Sequence, residues 1–448
     1  MNEKIMNRLI LTIKILLPVF LLFSCRQNSR QETEGIDVID VVSNLGKYQE
    51  ILVSELVSEL EYIPLETTDD CVFEAIRHFI VTPTHIFVAS NQYCYAFSRD
   101  GRFMGEIGRV GQGPGEYPIG ITGITVDEKN QTIYLGSHRT LLEYSWDGVF
   151  HQYIQTPRSI NEIYIARPFV VRENLFIGHF PNRKGNEAYK FALFDQTGQV
   201  VQSFDNRLKF ERTGSWGSEC DDSMKPFRVS ERIYVKEFTN DTLYFLNERN
   251  ELIPQFVFNL GKYAFPKHMK EVNPRPISNS SFFTHHSETP FRNVVVIPDL
   301  FDTDPMVGTP HYIFFSVGYG HGSFPRPKGR EKTVYVEGHT LNVEAGTAPV
   351  GIYDIDNKKT QLLDTDPVSR MFGLINDLDG GLSFWPKYYT SDNELVDIWK
   401  SYEMKEILTE EYFAAHEIRN PQAHQKLKEL LKNLDRDDNP IVVIGKLK

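Results

Sequence analysis

From residue 85 onward the chain repeats one pattern of apolar and polar positions. A short β-branched and aromatic run comes first: His85-Ile-Phe-Val-Ala89, Thr132-Ile-Tyr-Leu-Gly136, Asn174-Leu-Phe-Ile-Gly178 and Arg232-Ile-Tyr-Val-Lys236. A second run follows and ends in an aromatic residue (Phe97, Tyr144, Phe194 or Phe245) just before a polar turn such as Asp100-Gly101 or Asp147-Gly148. Tyr353, ahead of Asp356-Asn357, has the same form. A third run closes each unit, as in Phe103 to Ile107 and Val200 to Phe204. Aromatic and β-branched side chains suit a pleated surface. Gly and Asn supply the positive φ that a tight hairpin needs.

The first four marker aromatics lie 47, 50 and 51 residues apart. Four antiparallel strands repeated at about 40–50 residues is the period of a propeller blade. No helical periodicity separates the runs before residue 403, which argues against a solenoid of βα units. The fifth unit is drawn out. Pro/Gly/His-rich stretches (Pro274 to Pro290, Gly318 to Gly329) read as loop insertions in a blade built from His311 to Ser316, Thr333 to Val336 and Val350 to Asp354. Residues 268–290 and 318–332 are therefore expected as exposed loops. In the sixth unit, Leu382 to Pro386 and Leu395 to Lys400 read as inner strands. A helical insertion then spans about 403–434, with Thr409 as an N-cap and Leu427, Leu430, Leu431 and Leu434 on one face. The apolar run Ile441 to Leu447 reads as a closing strand beside 395–400, with Leu60 to Leu65 on its outer side. The predicted fold is all-β: a six-bladed β-propeller over residues 51–448 with a C-terminal helical insertion in the closing blade.

The N-terminus follows different rules. Lys4, Arg8 and Lys14 precede the apolar run Ile15 to Phe23, and Ser24-Cys25 closes it. Nine apolar residues are too few to cross a hydrocarbon core of ~30 Å, but they match the h-region of an export signal. A small residue before a cysteine points to lipidation at Cys25. Residues 1–24 read as a lipoprotein signal peptide and 25–50 as a lipidated tether, polar from Arg26 to Gly35. The chain carries a net charge of −12. Loss of residues 1–24 removes Lys4, Arg8, Lys14 and Glu3 and leaves −14, a balance that repels phosphate backbones and excludes nucleic acid as a partner. Cys71, Cys94 and Cys220 are too scattered for a disulfide framework or a metal site and read as buried free thiols.

Several phrases resemble the six-bladed β-propeller lipoproteins of Bacteroidetes, whose propellers are NHL-like. They are Tyr62-Ile-Pro-Leu-Glu66, Gly108 to Tyr117 (GRVGQGPGEY), Asn240-Asp-Thr-Leu-Tyr244, Asn376-Asp-Leu-Asp-Gly-Gly381 followed by Trp385-Pro386, and Asp438-Asn-Pro-Ile441. The resemblance spans residues 62 to 441. It implies the architecture and an envelope location far more than an activity.

Candidate chemistry is sparse. The Gly108 to Gly115 loop lacks the helix start and the Lys-Ser/Thr of a phosphate cradle, and Pro114, Glu116 and Pro118 follow it, so it reads as an inter-blade connection. Asp302/Asp304 and Asp377/Asp379 form Asp-x-Asp pairs without the further oxygens of a Ca²⁺ loop, and read as turn formers. His285, His286, His311 and His321 fall in the insertion-rich fifth unit without metal-ligand spacing. Trp385, Tyr388, Tyr389 and Trp216 offer stacking area, with core packing preferred around Trp385. No catalytic, metal or cofactor-binding residue is assigned, and no cofactor is called for. The sequence thus reads as a lipid-anchored envelope propeller, monomeric, acting as a ligand- or protein-binding or scaffolding module for a protein, glycan or peptide partner. The outer membrane is its expected home, on the periplasmic or surface side. The rival reading is a propeller lyase or hydrolase on glycans or peptides, with a metal or His site at the channel mouth.

Overall fold

In each of four successive units, apolar alternation and a positive-φ turn fold the chain into a four-stranded antiparallel sheet. The computed structural model describes residues 35–73, 76–182, 186–207, 209, 224–237, 240–261, 294–297, 306–319, 331–336, 339–344 and 350–448. Within Asp37–Lys448, six sheets ring one axis and form a six-bladed β-propeller. From the axis outward, blade 1 is His78–Val81, His85–Ala89, Cys94–Ser98 and Phe103–Glu106. Blade 2 is Gly123–Asp127, Thr132–Ser137, Thr140–Ser145 and Phe150–Gln155. Blade 3 is Ala166–Arg172, Leu175–His179, Tyr189–Asp195 and Val200–Asp205, and blade 4 is Met224–Val229, Arg232–Glu237, Thr242–Leu246 and Leu252–Asn259.

The five marker aromatics all sit on third strands, and all are buried. The turn after each holds one positive φ, at Gly101, Gly148, Gly198, Asn250 and Lys358. In the fifth turn the left-handed residue is thus Lys358 and not Asn357. Blades also meet through such rings: Phe256, on the fourth strand of blade 4, meets Tyr353 of blade 5 edge-on at 5.9 Å.

Blade 5 has the longest second strand, Tyr312–Tyr319. Val307–Gly308 pairs along its first half and Val294–Ile297 along its second, with Val350–Asp354 and Lys359–Leu363 outside. Thr333 to Val336, expected inside this blade, is instead part of Glu331–Val336, which pairs with His339–Glu344 as a separate two-stranded sheet. Residues 318–319 and 331–332, expected in loops, belong to these strands. Residues 268–290 and 320–330 lie outside the described residues.

Blade 6 joins distant pieces of chain. Ile441–Leu447 lies between Glu394–Trp399 and Val57–Pro64, antiparallel to both, with Tyr388–Tyr389 innermost. The run Ile441 to Ile444 is fully buried there, which removes the exposed apolar edge it would otherwise present. Between second and third strand the chain makes three helices, Ser401–Ile407, Glu410–Ala414 and Pro421–Asn433. Thr409 and Asn420 cap the last two by accepting from the Tyr412 and Ala423 amides.

The tether reading of 25–50 needs correction from residue 37 onward. Asp37–Asp40 lies parallel to Phe256–Asn259 on blade 4, and Tyr48–Gln49 lies parallel to Leu362–Leu363 on blade 5. Ile39 and Val41 are 0% exposed, within a cluster that includes Phe256, Phe258 and Leu362. Burying those two side chains gives the segment a reason to stay on the sheet edge.

Candidate functional site: the axial channel

The innermost strand of each blade has a sheet partner on one side only, so its other edge turns polar backbone toward the axis. Two side chains answer part of that demand. Thr125 Oγ1 in blade 2 accepts from the Val170 amide in blade 3 at 3.1 Å. Arg228 in blade 4 donates from Nη2 to the carbonyls of Val170 and Val171 at 2.8 and 2.9 Å. The space they leave is a cavity of about 810 Å³ walled by inner strands of all six blades, within the ~300–1,000 Å³ usual for small-molecule sites. Phe79, Phe169, Phe227 and Met306 give its walls an apolar body. Gly308 makes room for Phe227: a Cβ there would stand 2.5 Å from the ring.

Charged and polar groups reach the lining from several blades, among them Arg167 and Glu173 of blade 3 and Glu231 of blade 4, and three of them come from alternate blades. Blade 2 brings Glu128, blade 4 Arg228 and blade 6 Tyr388. Glu128 accepts from Ser391 Oγ at 2.7 Å, a bond between turns of blades 2 and 6, which are not neighbours. It draws the channel in at the end where the inner strands turn back. The Arg228 guanidinium is held below its ordinary pKa by burial, and Tyr388, Glu231, Glu128 and Asp127 partly restore it from beyond ion-pair reach. Its Cζ lies 6.0 Å from the Phe169 ring centre. Burial also pushes the Tyr388 phenol well above its usual range, Glu128 adding to the effect and Arg228 opposing it. Lys387, also in the lining, pairs with Asp397 at 3.0 Å.

The residues singled out from sequence scatter. Tyr388 and Tyr389 line the cavity, whereas Trp385 is buried against Phe314 at 5.5 Å. The Gly108 to Gly115 loop joins blades 1 and 2 away from the cavity lining, with Arg109–Val110 parallel to Glu116–Tyr117. Arg109 Nε meets Glu116 Oε1 at 2.6 Å, and Tyr144 Oη donates to the Gly115 carbonyl at 2.7 Å. Gly108 has φ +64°, and a Cβ there would stand 2.4 Å from Tyr144 Oη. Asp377 and Asp379 are buried and serve as anchors. Asp377 receives the Ser54 amide at 2.9 Å and pairs with Arg419 at 2.9 Å, and Asp379 receives the Tyr62 hydroxyl at 2.8 and 2.9 Å. They tie the helical insertion and the N-terminal strand to blade 6, together with His416, whose Nε2 stands 2.6 Å from Asp366 Oδ2.

His311 bonds the exposed Asp356 at 2.7 Å and does not face the cavity. His285, His286, His321, Asp302, Asp304, Trp216, Cys25 and Cys220 lie outside the described residues. Cys71 and Cys94 are free and buried, and burial pushes the Cys71 thiol up to about 12. Among the described residues no three His, Cys, Asp or Glu side chains group as a metal site. None of their helices is long and apolar enough to cross a membrane.

Arg228 and Glu128 escaped the sequence reading. A positional signal was present: the innermost strand precedes each recurring run by a few residues, which places Thr125 to Glu128 and Phe227 to Ser230 on the axis.

The profile of the domain of unknown function DUF4934 matches residues 36–446. The chain belongs to the DUF4934 family. The crystal structure of a candidate exported protein from Bacteroides fragilis is similar at 16% identity and a TM-score of 0.62, covering 92% of this chain and 99% of its own. That likeness shows the shared propeller fold. A DUF4221 member from Bacteroides vulgatus aligns at 10% identity over 88% of this chain and 97% of its own, with a TM-score of 0.46. No curated protein matches this chain.

Proposed function

We propose that this DUF4934 chain is an exported, lipid-anchored binding module whose ligand sits in the axial channel. The observation that carries the reading is the cavity of about 810 Å³, apolar along its walls and supplied with a carboxylate, a guanidinium and a phenol by three alternate blades. Apolar lining with a few placed polar groups is the usual make-up of a ligand site. The rigid ring around it holds those groups without needing a lid. Anchoring rests on the apolar run Ile15 to Phe23 before Ser24-Cys25, and export agrees with the name of the Bacteroides fragilis protein that shares the fold.

Two measurements test the parts separately. Mass spectrometry of the mature N-terminus should find acylated Cys25, and Cys25→Ser should release the protein from membranes; membrane retention of that variant would refute the anchor. For the channel, Gly123 offers a plug, because it lines the cavity and a Cβ there meets no atom within 4 Å. Fragments bound by the wild type in ligand-observed NMR should be lost in Gly123→Phe. Fragments held equally by both would place binding elsewhere.

A further inference from the structure

The bonds of Arg228 identify what the channel lacks. Among the described residues its guanidinium donates only to the carbonyls of Val170 and Val171, and no carboxylate stands within ion-pair distance. A guanidinium offers five donors in a fixed fork that matches a carboxylate edge. Holding it half-buried beside Phe169 and Phe227 without an anionic partner costs solvation that a ligand's charge can restore. Tyr388 adds a second donor. Its side chain lines the same cavity from blade 6, close enough to Arg228 for each to bear on the other's ionisation, and its hydroxyl has no hydrogen-bond partner among the described residues. The acidic groups that bear on Arg228, namely Glu231, Glu128 and Asp127, all stand beyond ion-pair distance, and Glu128 accepts from Ser391.

Resting on the channel reading above, we propose that the ligand is a small organic acid. Its carboxylate lies against Arg228 with the Tyr388 hydroxyl donating alongside, and its apolar body fills the space between Phe79, Phe169, Phe227 and Met306. The carboxylate gains two charge-assisted donors in a poorly solvated place, where such bonds are strongest. Carbonyl contacts already fix Arg228 Nη2, so the side chain is pre-oriented and little rotamer freedom remains to be lost on binding.

Benzoate and benzyl alcohol make the matched pair of probes, the same ring with and without the charge. In NMR titrations of the full chain, benzoate should bind at least tenfold more tightly than benzyl alcohol, and Gly123→Phe should abolish both. Arg228→Met should weaken benzoate at least tenfold and leave benzyl alcohol unchanged, and Arg228→Lys should restore part of the difference. Tyr388→Phe keeps the ring and should weaken benzoate about threefold, which preserves the test if Arg228 variants fold poorly. Equal affinity for the two probes, with neither substitution mattering, would overturn the carboxylate assignment and leave the channel reading standing. Binding of both probes that survives Gly123→Phe, or no binding of either, would overturn the channel reading and the assignment with it.

Discussion

Blades 1–3 and blades 4–6 are made from the same four-stranded unit and finish their outer edges in opposite ways. Phe103–Glu106, Phe150–Gln155 and Val200–Asp205 end blades 1 to 3, and among the described residues no strand pairs beyond them. Blades 4 and 5 each carry an added parallel strand, Asp37–Asp40 and Tyr48–Gln49, and the outer strand of blade 6 is itself Val57–Pro64. The N-terminal segment is thus a strap around half of the ring. The bare half is built from hairpins whose partners are close in sequence. The strapped half depends on pairings hundreds of residues apart, so it should answer to changes at the chain's ends that the bare half ignores.

Removing residues 439–448 should have the largest effect. It takes the third strand out of blade 6 and with it the buried side chains of Ile441, Val442, Val443, Ile444 and Leu447. Each contributes roughly 1.5–3 kcal/mol against a total stability of about 5–15 kcal/mol. Circular dichroism and calorimetry should show no cooperative melting; an unchanged Tm would mean that the ring closes without that strand. Deleting residues 35–50 comes next. Stability should fall by several kcal/mol with the loss of Ile39 and Val41, and hydrogen exchange should quicken in Leu252–Asn259 and Lys359–Leu363 while Val200–Asp205 stays protected as before. An even rise across all six blades would erase the distinction between the halves.

Single substitutions sharpen the contrast. Ile39→Ala, a fully buried side chain of the strap itself, should cost about 2–4 kcal/mol in chemical denaturation. Val201→Ala, 52% exposed on the bare edge of blade 3, should cost no more than ~0.5 kcal/mol. A pH-dependent effect is expected at His179 of blade 3, whose pKa lies well below the ordinary 6.5 because burial, then Lys190 and Arg167, disfavour its charge. The unfolded chain protonates this residue as pH drops below 6.5 while the folded chain does not, so stability present above that pH is lost on acidification. The loss is at most about 1.4 kcal/mol per pH unit. In denaturation series from pH 7 to 5.5, His179→Gln should show a shallower fall than the wild type; parallel curves would mean that His179 takes up its proton in the folded state as well.

What could be read from the sequence was what repeats. Phe97, Tyr144, Phe194, Phe245 and Tyr353 recur because blades 1 to 5 each bury a large ring at one place on the third strand, and the period follows from that need. The closing strand was legible for a related reason, since Ile441 to Ile444 had to be covered by something. The strap was not, because Asp37–Asp40 (DVID) is four residues long without alternation beside a polar stretch, and a parallel edge strand needs no turn signal. The site was harder still. Arg228 sits among ordinary strand residues, and only closure of the ring shows that it faces Tyr388 and not solvent. Side chains brought together from three alternate blades have no fixed spacing along the chain.

The composite sixth blade also sets a clock. Val57–Pro64 is made early, yet its partner Ile441–Leu447 appears only after nearly 380 further residues, roughly 20–80 s of synthesis at ordinary rates of about 5–20 residues per second. Until Leu447 has been added, an apolar β edge has no mate and the ring stays open. A chain broken off at any earlier point leaves that edge bare. Incomplete products should then betray themselves to chaperones and proteases, and completion becomes a condition for reaching the folded form.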